Sequence, residues 1–239
     1  MVTYSFISKI GSRKVNEDCV DIFKTENSYL FALADGLGGH KSGDIASKTV
    51  ISKAGETFLA NTDTDDLLSL CFNNAQDTLM NEQEKTNLDM KTTLVLLNKN
   101  GETIKGGHIG DSRTYIFQDE KLIGRTSDHS VPQMLYLTGE INEKDIRFHP
   151  DRNRLLRVMG VEWESPRYEL SNEYPSTPGT SFLLCTDGFW ELIDEKEMCR
   201  SLKQANNPED WLTRMEKTVL KNGKRKNMDN YSAITIWIR

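Results

Sequence analysis

Short apolar stretches, some unbroken and some alternating with polar residues, recur along the chain at lengths typical of β-strands. Turns at residues 98–101 and 118–120 separate several of them at hairpin spacing, which favours antiparallel neighbours. The predicted strands span residues 2–10, 19–23, 29–35, 92–97, 103–109, 113–117, 122–123, 167–170, 180–185 and 232–238.

Longer segments between these strands carry apolar residues at the three- and four-residue spacing of amphipathic helices. The predicted helices span residues 44–60, 65–85, 195–204 and 208–222. Ser42 or Asp44 is expected to cap the first of them. Because strands come in groups and helices in pairs, the pattern predicts an α+β fold with a sheet-on-sheet core flanked by helices.

Residues 128–165 differ from this pattern. Short helical pieces at 131–137, 143–147 and 154–158 alternate with glycine and proline, which predicts an inserted surface flap. No linker rich in Pro, Gly or Ser divides the remainder, and we therefore expect a single domain over residues 1–239.

Composition restricts the possible partners. The 239 residues are 37% hydrophobic and 28% charged, and their formal charge of −6 predicts neither a nucleic-acid nor a membrane partner. No apolar run approaches the roughly 18 residues of a membrane span, and no signal peptide is recognisable. Four scattered cysteines without a Cys-x-x-Cys pair are typical of reduced thiols, which predicts a cytoplasmic protein.

One apolar stretch ends in an unusual way. The apolar run 29–34 of the predicted strand 29–35 leads directly into Asp35, and Gly36, Gly38 and Gly39 follow. An aspartate at the end of a buried strand places a carboxylate at the rim of a sheet, and glycines allow the backbone to approach whatever it binds. A phosphate cradle, a metal site and an ordinary loop all fit this stretch taken alone.

Other carboxylates lie at similar positions, at the ends of predicted elements. Asp187-Gly188 follows strand 180–185 in the same way that Asp35-Gly36 follows its strand. The other carboxylates at the ends of predicted elements are Glu17, Asp18, Asp111 and Asp229. Six carboxylates gathered at one rim would repel each other, and a divalent cation would relieve that repulsion. Oxygen ligands without a matching set of His and Cys favour Mg²⁺ or Mn²⁺ over zinc. Each residue could alternatively be a turn residue or a helix cap.

These residues belong to a series of motifs that occur in order along the chain. The motifs are Arg13-x-x-x-Glu17-Asp18, Asp35-Gly-x-Gly-Gly-His-x-x-Gly43, Gly110-Asp-Ser-Arg113, Asp128-His-Ser130, His149-Pro-x-Arg-Asn153, Thr186-Asp-Gly-x-Trp190-Glu191 and Asp229-Asn230. From about Ser8 to Trp237 the chain resembles the metal-dependent protein phosphatases of type 2C, the PPM family, in their compact bacterial form.

The resemblance implies a four-layer α-β-β-α sandwich with two Mn²⁺ or Mg²⁺ ions at one edge. It implies that Asp35 bridges the two ions and that the Gly36 carbonyl is a further ligand. Asp187 and Asp229 would hold the first ion and Glu17 the second. Asp111 matches the ligand of a third, weaker ion.

Two further roles follow from the resemblance. Arg13 corresponds to the residue that grips the substrate phosphate, a role that suits a planar guanidinium with two parallel donors. Asp18 would orient the attacking water. Leu37 stands where many eukaryotic relatives carry a histidine proposed to protonate the leaving group, so that a water or His40 would have to take that role. Lys91 replaces a glycine that is usual in the family.

The function predicted in this way is hydrolysis of phosphoserine and phosphothreonine in phosphoprotein substrates by a monomer that opposes a protein kinase. A water activated by two ions would attack phosphorus, with no covalent phosphoenzyme. Two alternatives are a phosphatase-like scaffold with weak or no catalysis, and a hydrolase of small phosphorylated molecules. The first would be indicated by replaced ligands, but all the expected carboxylates are present.

Overall fold

The computed structural model describes residues 1–37, 42–61, 64, 66–224 and 226–239. Its strands are β1 (Val2–Lys9), β2 (Asp18–Lys24), β3 (Ser28–Asp35), β4 (Leu94–Asn100), β5 (Thr103–Ile109), β6 (Arg113–Gln118), β7 (Lys121–Arg125), β8 (Glu169–Leu170), β9 (Tyr174–Pro175), β10 (Thr180–Cys185) and β11 (Tyr231–Ile238). Its helices are α1 (Gly43–Ala60), α2 (Leu67–Thr86), α3 (Val131–Leu137), α4 (Asp187–Trp190), α5 (Glu195–Gln204) and α6 (Pro208–Gly223), with a 3₁₀ helix at Glu143–Phe148.

The strands form two sheets, and every described pairing between them is antiparallel. The first sheet has the order β1-β11-β10-β6-β7. The second has the order β2-β3-β4-β5-β8, and β9 also pairs with β5. The first and last strands of the chain lie side by side, since Val2 is in register with Ile238.

Three apolar clusters define four layers. Alternate residues of β3 face opposite ways, as the two-residue period of a strand requires. Leu30, Ala32 and Ala34 pack against α1 and α2, whereas Phe31 and Leu33 pack against the other sheet. In the first sheet, β10 and β11 likewise pack against that central layer on one face and against α5 and α6 on the other. The predicted α-β-β-α sandwich is therefore confirmed.

The antiparallel order brings several element ends to one edge of the sandwich. The end of β3 and the start of β2 meet there, because Asp35 is in register with Asp18. In the first sheet β10 ends where β11 begins, since Cys185 pairs with Ala233. Strand β5 ends at the same edge, next to the start of β4, and the chain passes from it to β6 in the other sheet through residues 110–112.

The predicted helical piece at 154–158 is wrong. Instead, this part of the chain pairs in an extended form with the start of the 128–165 segment: Ser130 bridges Leu155, and the Leu156 amide donates to the His129 carbonyl at 2.7 Å. Tertiary pairing satisfies the backbone there in place of a helix. The other two pieces are present as α3 and as the 3₁₀ helix.

Smaller differences between the predicted and the observed elements have local causes. Strand β4 begins at Leu94 because Thr92 pairs instead in isolated bridges with Gly36 and Met159. Ser42 is the N-cap residue of α1, but its hydroxyl donates to the Asp89 carbonyl at 2.8 Å rather than capping the helix. Among the described helices, none combines the length and apolar character that crossing a bilayer would require.

Candidate metal centre

Strand geometry turns two carboxylates toward the space between the sheets. Asp35 shares a face of β3 with Phe31 and Leu33, and Asp18 shares a face of β2 with Val20 and Ile22; these apolar neighbours belong to the central layer. Because the two strands pair in register, the Asp18 and Asp35 side chains leave the same face side by side. The apolar layer thus ends in acidic groups at this edge.

The other sheet supplies acidic groups to the same place. Asp187 begins α4 directly after β10, and Asp229 lies just before β11. Asp111, which is buried, lies in the crossing from β5 to β6. Burial raises the pKa of Asp35 and of Asp187, and mutual repulsion adds to it: Asp18, Asp187 and Asp111 act on Asp35, and Asp229 acts on Asp187. Burial, Asp44 and Asp229 raise the pKa of Glu17, so this residue lies at the same place and all six predicted carboxylates are brought together.

Burial, followed by this repulsion, disfavours ionisation of the acidic groups. The pKa values of Asp35 and Asp111 lie well above their ordinary range, mainly because they are withdrawn from water. Burial raises the pKa of Asp18 to about 7, helped by the nearby Asp187. Only one Asp18 oxygen is satisfied: Oδ2 accepts from Thr186 Oγ1 at 3.0 Å, whereas Oδ1 is buried without a partner.

This arrangement fits a divalent cation. Buried, mutually repelling carboxylates with an unsatisfied oxygen are costly unless a positive charge is placed among them. The donors are hard oxygen atoms, which suits Mg²⁺ and Mn²⁺. Arg13 pairs with the cluster at its exposed rim, with Nη2 2.6 Å from Asp229 Oδ2.

Two glycines allow the backbone around Glu17 to close tightly. The Gly36 amide donates to the Glu17 carbonyl at 3.1 Å. A Cβ on Gly36 would overlap the Gly43 carbonyl, and one on Gly43 would lie 2.8 Å from Glu17 Oε1. Glycine is therefore required sterically where the exit of β3 meets the start of α1. Approach of the glycine backbone to a group bound by Asp35 stays a prediction, and residues 38 and 39 lie outside the described part of the chain.

Asn230 organises the turn that carries Arg13 and Glu17. Its Oδ1 accepts from the Glu17 amide at 2.9 Å, and its Nδ2 donates to the carbonyls of Ile10 and Val15, each at 2.9 Å. One buried amide thereby holds both ends of the turn. The sequence motif Asp229-Asn230 contained this residue, but nothing local in the sequence indicated which turn it would bind.

A buried network supports the Asp111 backbone. Trp190 Nε1 donates to the Asp111 carbonyl at 3.0 Å, and the Arg113 guanidinium lies 3.4 Å from the centroid of a Trp190 ring. Arg113 binds Asp128 through two hydrogen bonds of 2.7 Å. The motifs around residues 111, 128 and 190 therefore meet in space, although they are widely separated in sequence.

The 128–165 segment also reaches the acidic cluster, through Arg152. Its Nε lies 2.7 Å from Glu191 Oε1, and its charge partly opposes the rise in the pKa of Asp187 that burial and Asp229 cause. Burial and the nearby Asp187 raise the pKa of Glu191 to about 7, against the opposing effect of Arg152. In the sequence this arginine was only a member of the His149-Pro-x-Arg-Asn153 motif. The structure places it beside the cluster, where both its charge and its contact with Glu191 bear on the site.

Leu37 and Lys91, which both differ from the residue usual in relatives, are adjacent in space. The Leu37 amide donates to the Lys91 carbonyl at 2.9 Å, which extends the pairing of the β3 exit with the residues before β4. Lys91 itself forms an ion pair with Asp89 at 2.9 Å. His40, the other candidate proton donor, lies outside the described residues.

Comparisons with known proteins agree with this geometry. The family model described as Protein phosphatase 2C matches residues 7–231. The serine/threonine phosphatase stp of Listeria monocytogenes is 32% identical over 201 residues, which cover 80% of this chain and 79% of that protein. The serine/threonine protein phosphatase PstP of Mycobacterium tuberculosis is 30% identical over 200 residues, 80% of this chain and 37% of that protein.

Solved structures show the same architecture. Serine/threonine phosphatase Stp1 from Staphylococcus aureus superposes with a TM-score of 0.89 at 28% identity, over 100% of this chain and 96% of that one. The catalytic domain of PstP in complex with two manganese ions superposes with a TM-score of 0.81 at 26% identity, over 99% and 97% of the two chains. Since the family model spans nearly the whole chain, this protein belongs to the protein phosphatase 2C family.

Proposed function

We propose that this chain is a metal-dependent serine/threonine protein phosphatase that hydrolyses phosphoserine and phosphothreonine in phosphoproteins. The observation that carries the proposal is the convergence of acidic groups from both sheets at one edge, with Arg13 at their rim. The names of the similar proteins support the choice of substrate class.

The residues proposed to hold the metal ions are Glu17, Asp35, the Gly36 carbonyl, Asp187 and Asp229, with Asp111 at a third and weaker position. Mn²⁺ or Mg²⁺ suits these oxygen donors, and a relative crystallised with two manganese ions supports manganese. Bound there, such ions would supply Lewis acidity toward water and toward the phosphoryl oxygens.

Arg13 is proposed to bind the substrate phosphate. Its guanidinium is about half exposed and is held by Asp229 through a single nitrogen, Nη2, so that other N–H groups remain available to phosphate oxygens. Asn230 anchors the turn that carries it. The positive charge would stabilise the negative charge that develops on the equatorial oxygens during transfer.

Asp18 is proposed to orient the attacking water. Its Oδ2 is fixed by Thr186, and its Oδ1 is a buried acceptor without a partner at the acidic edge. A water that donates one of its protons to this oxygen would be held in a fixed orientation, which also fixes the direction of a lone pair. Fixing this orientation before the reaction lowers the entropic cost of the attack. We assign protonation of the leaving group to a second water, because Leu37 cannot supply a proton.

The oligomeric state, the opposing kinase and the cellular location are part of the same proposal. A single chain that acts opposite a protein kinase, in the cytoplasm, follows from the family resemblance and the sequence. The scaffold alternative is disfavoured because the sequence contains every proposed ligand. Turnover of phosphopeptides compared with that of nucleotides and sugar phosphates separates the proposed activity from a small-molecule hydrolase.

Metal removal tests the proposal directly. Protein treated with EDTA and desalted should lose hydrolysis of p-nitrophenyl phosphate and of a phosphothreonine peptide, and added Mn²⁺ should restore both. Asp35→Asn should remain inactive at any Mn²⁺ concentration while keeping the wild-type circular dichroism spectrum. Full activity in the chelated sample, with metal content verified by mass spectrometry, would contradict the proposal.

A further inference from the structure

His129 joins three parts of the molecule at a place beside the acidic cluster. Its amide donates to the Gly110 carbonyl at 2.9 Å, and its carbonyl accepts from the Leu156 amide at 2.7 Å. The imidazole, which is buried, lies against β8 through Glu169, with Nε2 3.2 Å from Oε1. The residue therefore contacts the crossing that carries Asp111, the 128–165 segment and the edge of the second sheet.

The hydrogen bonds of the ring define its tautomer. Nδ1 accepts from the Gly110 amide at 3.1 Å, so the proton of the neutral ring must lie on Nε2 and point at Glu169. Burial, together with the nearby His108, lowers the pKa of His129 to about 4, which keeps the ring neutral near pH 7. Arg157 Nη1 contacts the same Glu169 oxygen at 3.0 Å and lies 3.5 Å from His129 Nε2.

A metal ion in this group is the competing explanation. The ligand atoms of His108, His129 and Glu169 lie within 4.8 Å of one another, and two imidazoles with a carboxylate are typical of a zinc site. Both nitrogens of His129, however, are already committed, one as acceptor and one as donor. The two imidazole rings are stacked at 4.7 Å, and His108 Nε2 contacts the Ser127 carbonyl at 2.7 Å. The hydrogen bonds thus favour a positioning role for His129.

The backbone conformation of Gly110 is tightly constrained, and His129 contacts it directly. Its φ of +105° lies in a region that other residues rarely adopt, and a Cβ there would lie 2.5 Å from Thr93 Cγ2. His129 binds both the N–H and the C=O of this glycine. The next residue is Asp111, so the orientation of the Gly110 peptide sets the position of the backbone from which the Asp111 carboxylate projects.

We propose that His129 is a positioning residue through which Glu169 and Arg157 set the placement of Asp111, and with it the affinity of the weakest divalent-cation position. The inference rests on the proposed function, because it takes Asp111 as a ligand. The described contacts run without a gap from Arg157 to Glu169, His129 and the Gly110 peptide. Outer contacts of this kind typically change metal affinity by about 10–100-fold.

Substitutions at Glu169 test the proposal, because this side chain is half exposed and its removal should leave the fold intact. Glu169→Ala removes the acceptor for the His129 ring, whereas Glu169→Gln keeps an oxygen there. Mn²⁺ titration of the metal-free protein by calorimetry should show the weakest site weakened by about tenfold in Glu169→Ala and nearly unchanged in Glu169→Gln. Asp111→Asn should abolish that site and thereby identify it.

Nuclear magnetic resonance provides a readout independent of bound metal and of activity. In the metal-free protein, the Gly110 amide and the His129 ring nitrogens should shift in Glu169→Ala, and His129→Phe should remove the Gly110 hydrogen bond while keeping the stacked ring. Glu164→Ala, at an exposed carboxylate without a described ion pair, is the matched control and should change neither readout.

The outcomes separate this proposal from the proposed function. If Glu169→Ala binds Mn²⁺ with wild-type affinity at every site, the positioning role is wrong, whatever the activity. If zinc displaces the Nε2 proton of wild-type His129, the metal explanation replaces it. If the predicted changes occur in a protein that hydrolyses no phosphopeptide, the positioning role stands and the proposed function fails.

Discussion

Arg13 lies at the boundary between the acidic cluster and solvent, and its single bond to Asp229 leaves it able to meet a second anion. Arg13→Ala should therefore lower kcat/KM for a phosphopeptide by about 10–100-fold, with a higher KM and a lower kcat, because a guanidinium–phosphate contact made to both substrate and transition state is lost. Arg13→Lys should recover only part of this loss, since an ammonium group cannot form two parallel bonds. Steady-state kinetics with Lys14→Ala as the control would measure both effects. An unchanged KM in Arg13→Ala would exclude the phosphate-binding role.

Asp18 makes the stability of the metal-free protein depend on pH. Its pKa is about 7 in the fold, above the ordinary value of 3.8, so the folded state binds the proton more tightly than the unfolded state does. The corresponding stabilisation is complete below the ordinary pKa and is lost as pH rises through about 7. The Tm of chelated protein should fall between about pH 5 and pH 7.5.

The matched variant for this test is Asp18→Asn, which is neutral at every pH. Its Tm should depend less steeply on pH over the same range, as measured by differential scanning calorimetry in EDTA. A wild-type Tm that rises steadily with pH in this window would contradict the assignment, because it would mean that Asp18 is ionised in the fold.

At the scale of elements, the exit of β3 and the start of α1 must touch for the site to form. Gly36 is placed against the Gly43 carbonyl so closely that no Cβ fits. Gly36→Ala should separate the two elements, lower the Tm and weaken Mn²⁺ binding, with activity at saturating peptide falling accordingly. Gly124→Ala, where a Cβ meets open space, is the control and should leave Tm and activity unchanged. Wild-type Mn²⁺ affinity in Gly36→Ala would show that this close contact is dispensable.

Non-local backbone pairing helps to hold the 128–165 segment, in addition to the contacts that Arg147 of its 3₁₀ helix makes with Ile193 and Glu195. Val131 and Leu156 form backbone bonds across the segment, and Met159 exchanges two bonds with Thr92 beside the acidic edge. Its α3 helix buries only Pro132 and Gln133. Sequence periodicity detects amphipathic helices but carries no information on such non-local pairing. This is why the extended residues 154–158 were predicted incorrectly as a helix.

On the scale of the whole molecule, the proposed ligands come from both sheets. Asp35 and Glu17 belong to the second sheet and its connection, whereas Asp187 and Asp229 flank strands of the first. A cation bound by both would link the two halves of the sandwich and bind only the folded state. A ligand at 100 times its dissociation constant stabilises a protein by about 2.7 kcal/mol.

Mn²⁺ should accordingly raise the Tm of chelated wild-type protein by several degrees in a fluorescence melt. Asp35→Asn, which alters the carboxylate proposed to contact both ions, should lose most of this rise. NaCl at the same ionic strength serves as a control for screening alone. An equal rise in Asp35→Asn would place the stabilising ion elsewhere.

Much of the fold could be predicted from local pattern. Most of the predicted strands, including β3, β10 and β11, and the four long helices appear within a few residues of their predicted bounds, because each has a buried face with a regular period. The two-residue strand β9 was missed, because a pairing of that length leaves no periodic signal. Asn230 and His129 are functional candidates for which the sequence offered motif membership but no partner.

The sequence by itself determined which residue types stand at the ends of strands, and the motifs that carry them were sufficient to indicate the family and its acidic site. Only the tertiary structure decided which of those ends meet. Six carboxylates and one arginine, spread from residue 13 to residue 229, converge because antiparallel pairing returns alternate strand ends to one edge and because the central apolar layer sets the two sheets face to face. The raised pKa values, the unsatisfied Asp18 oxygen and the contact of His129 with Gly110 are consequences of that convergence. They arise from distances between residues remote in sequence, which no local pattern encodes.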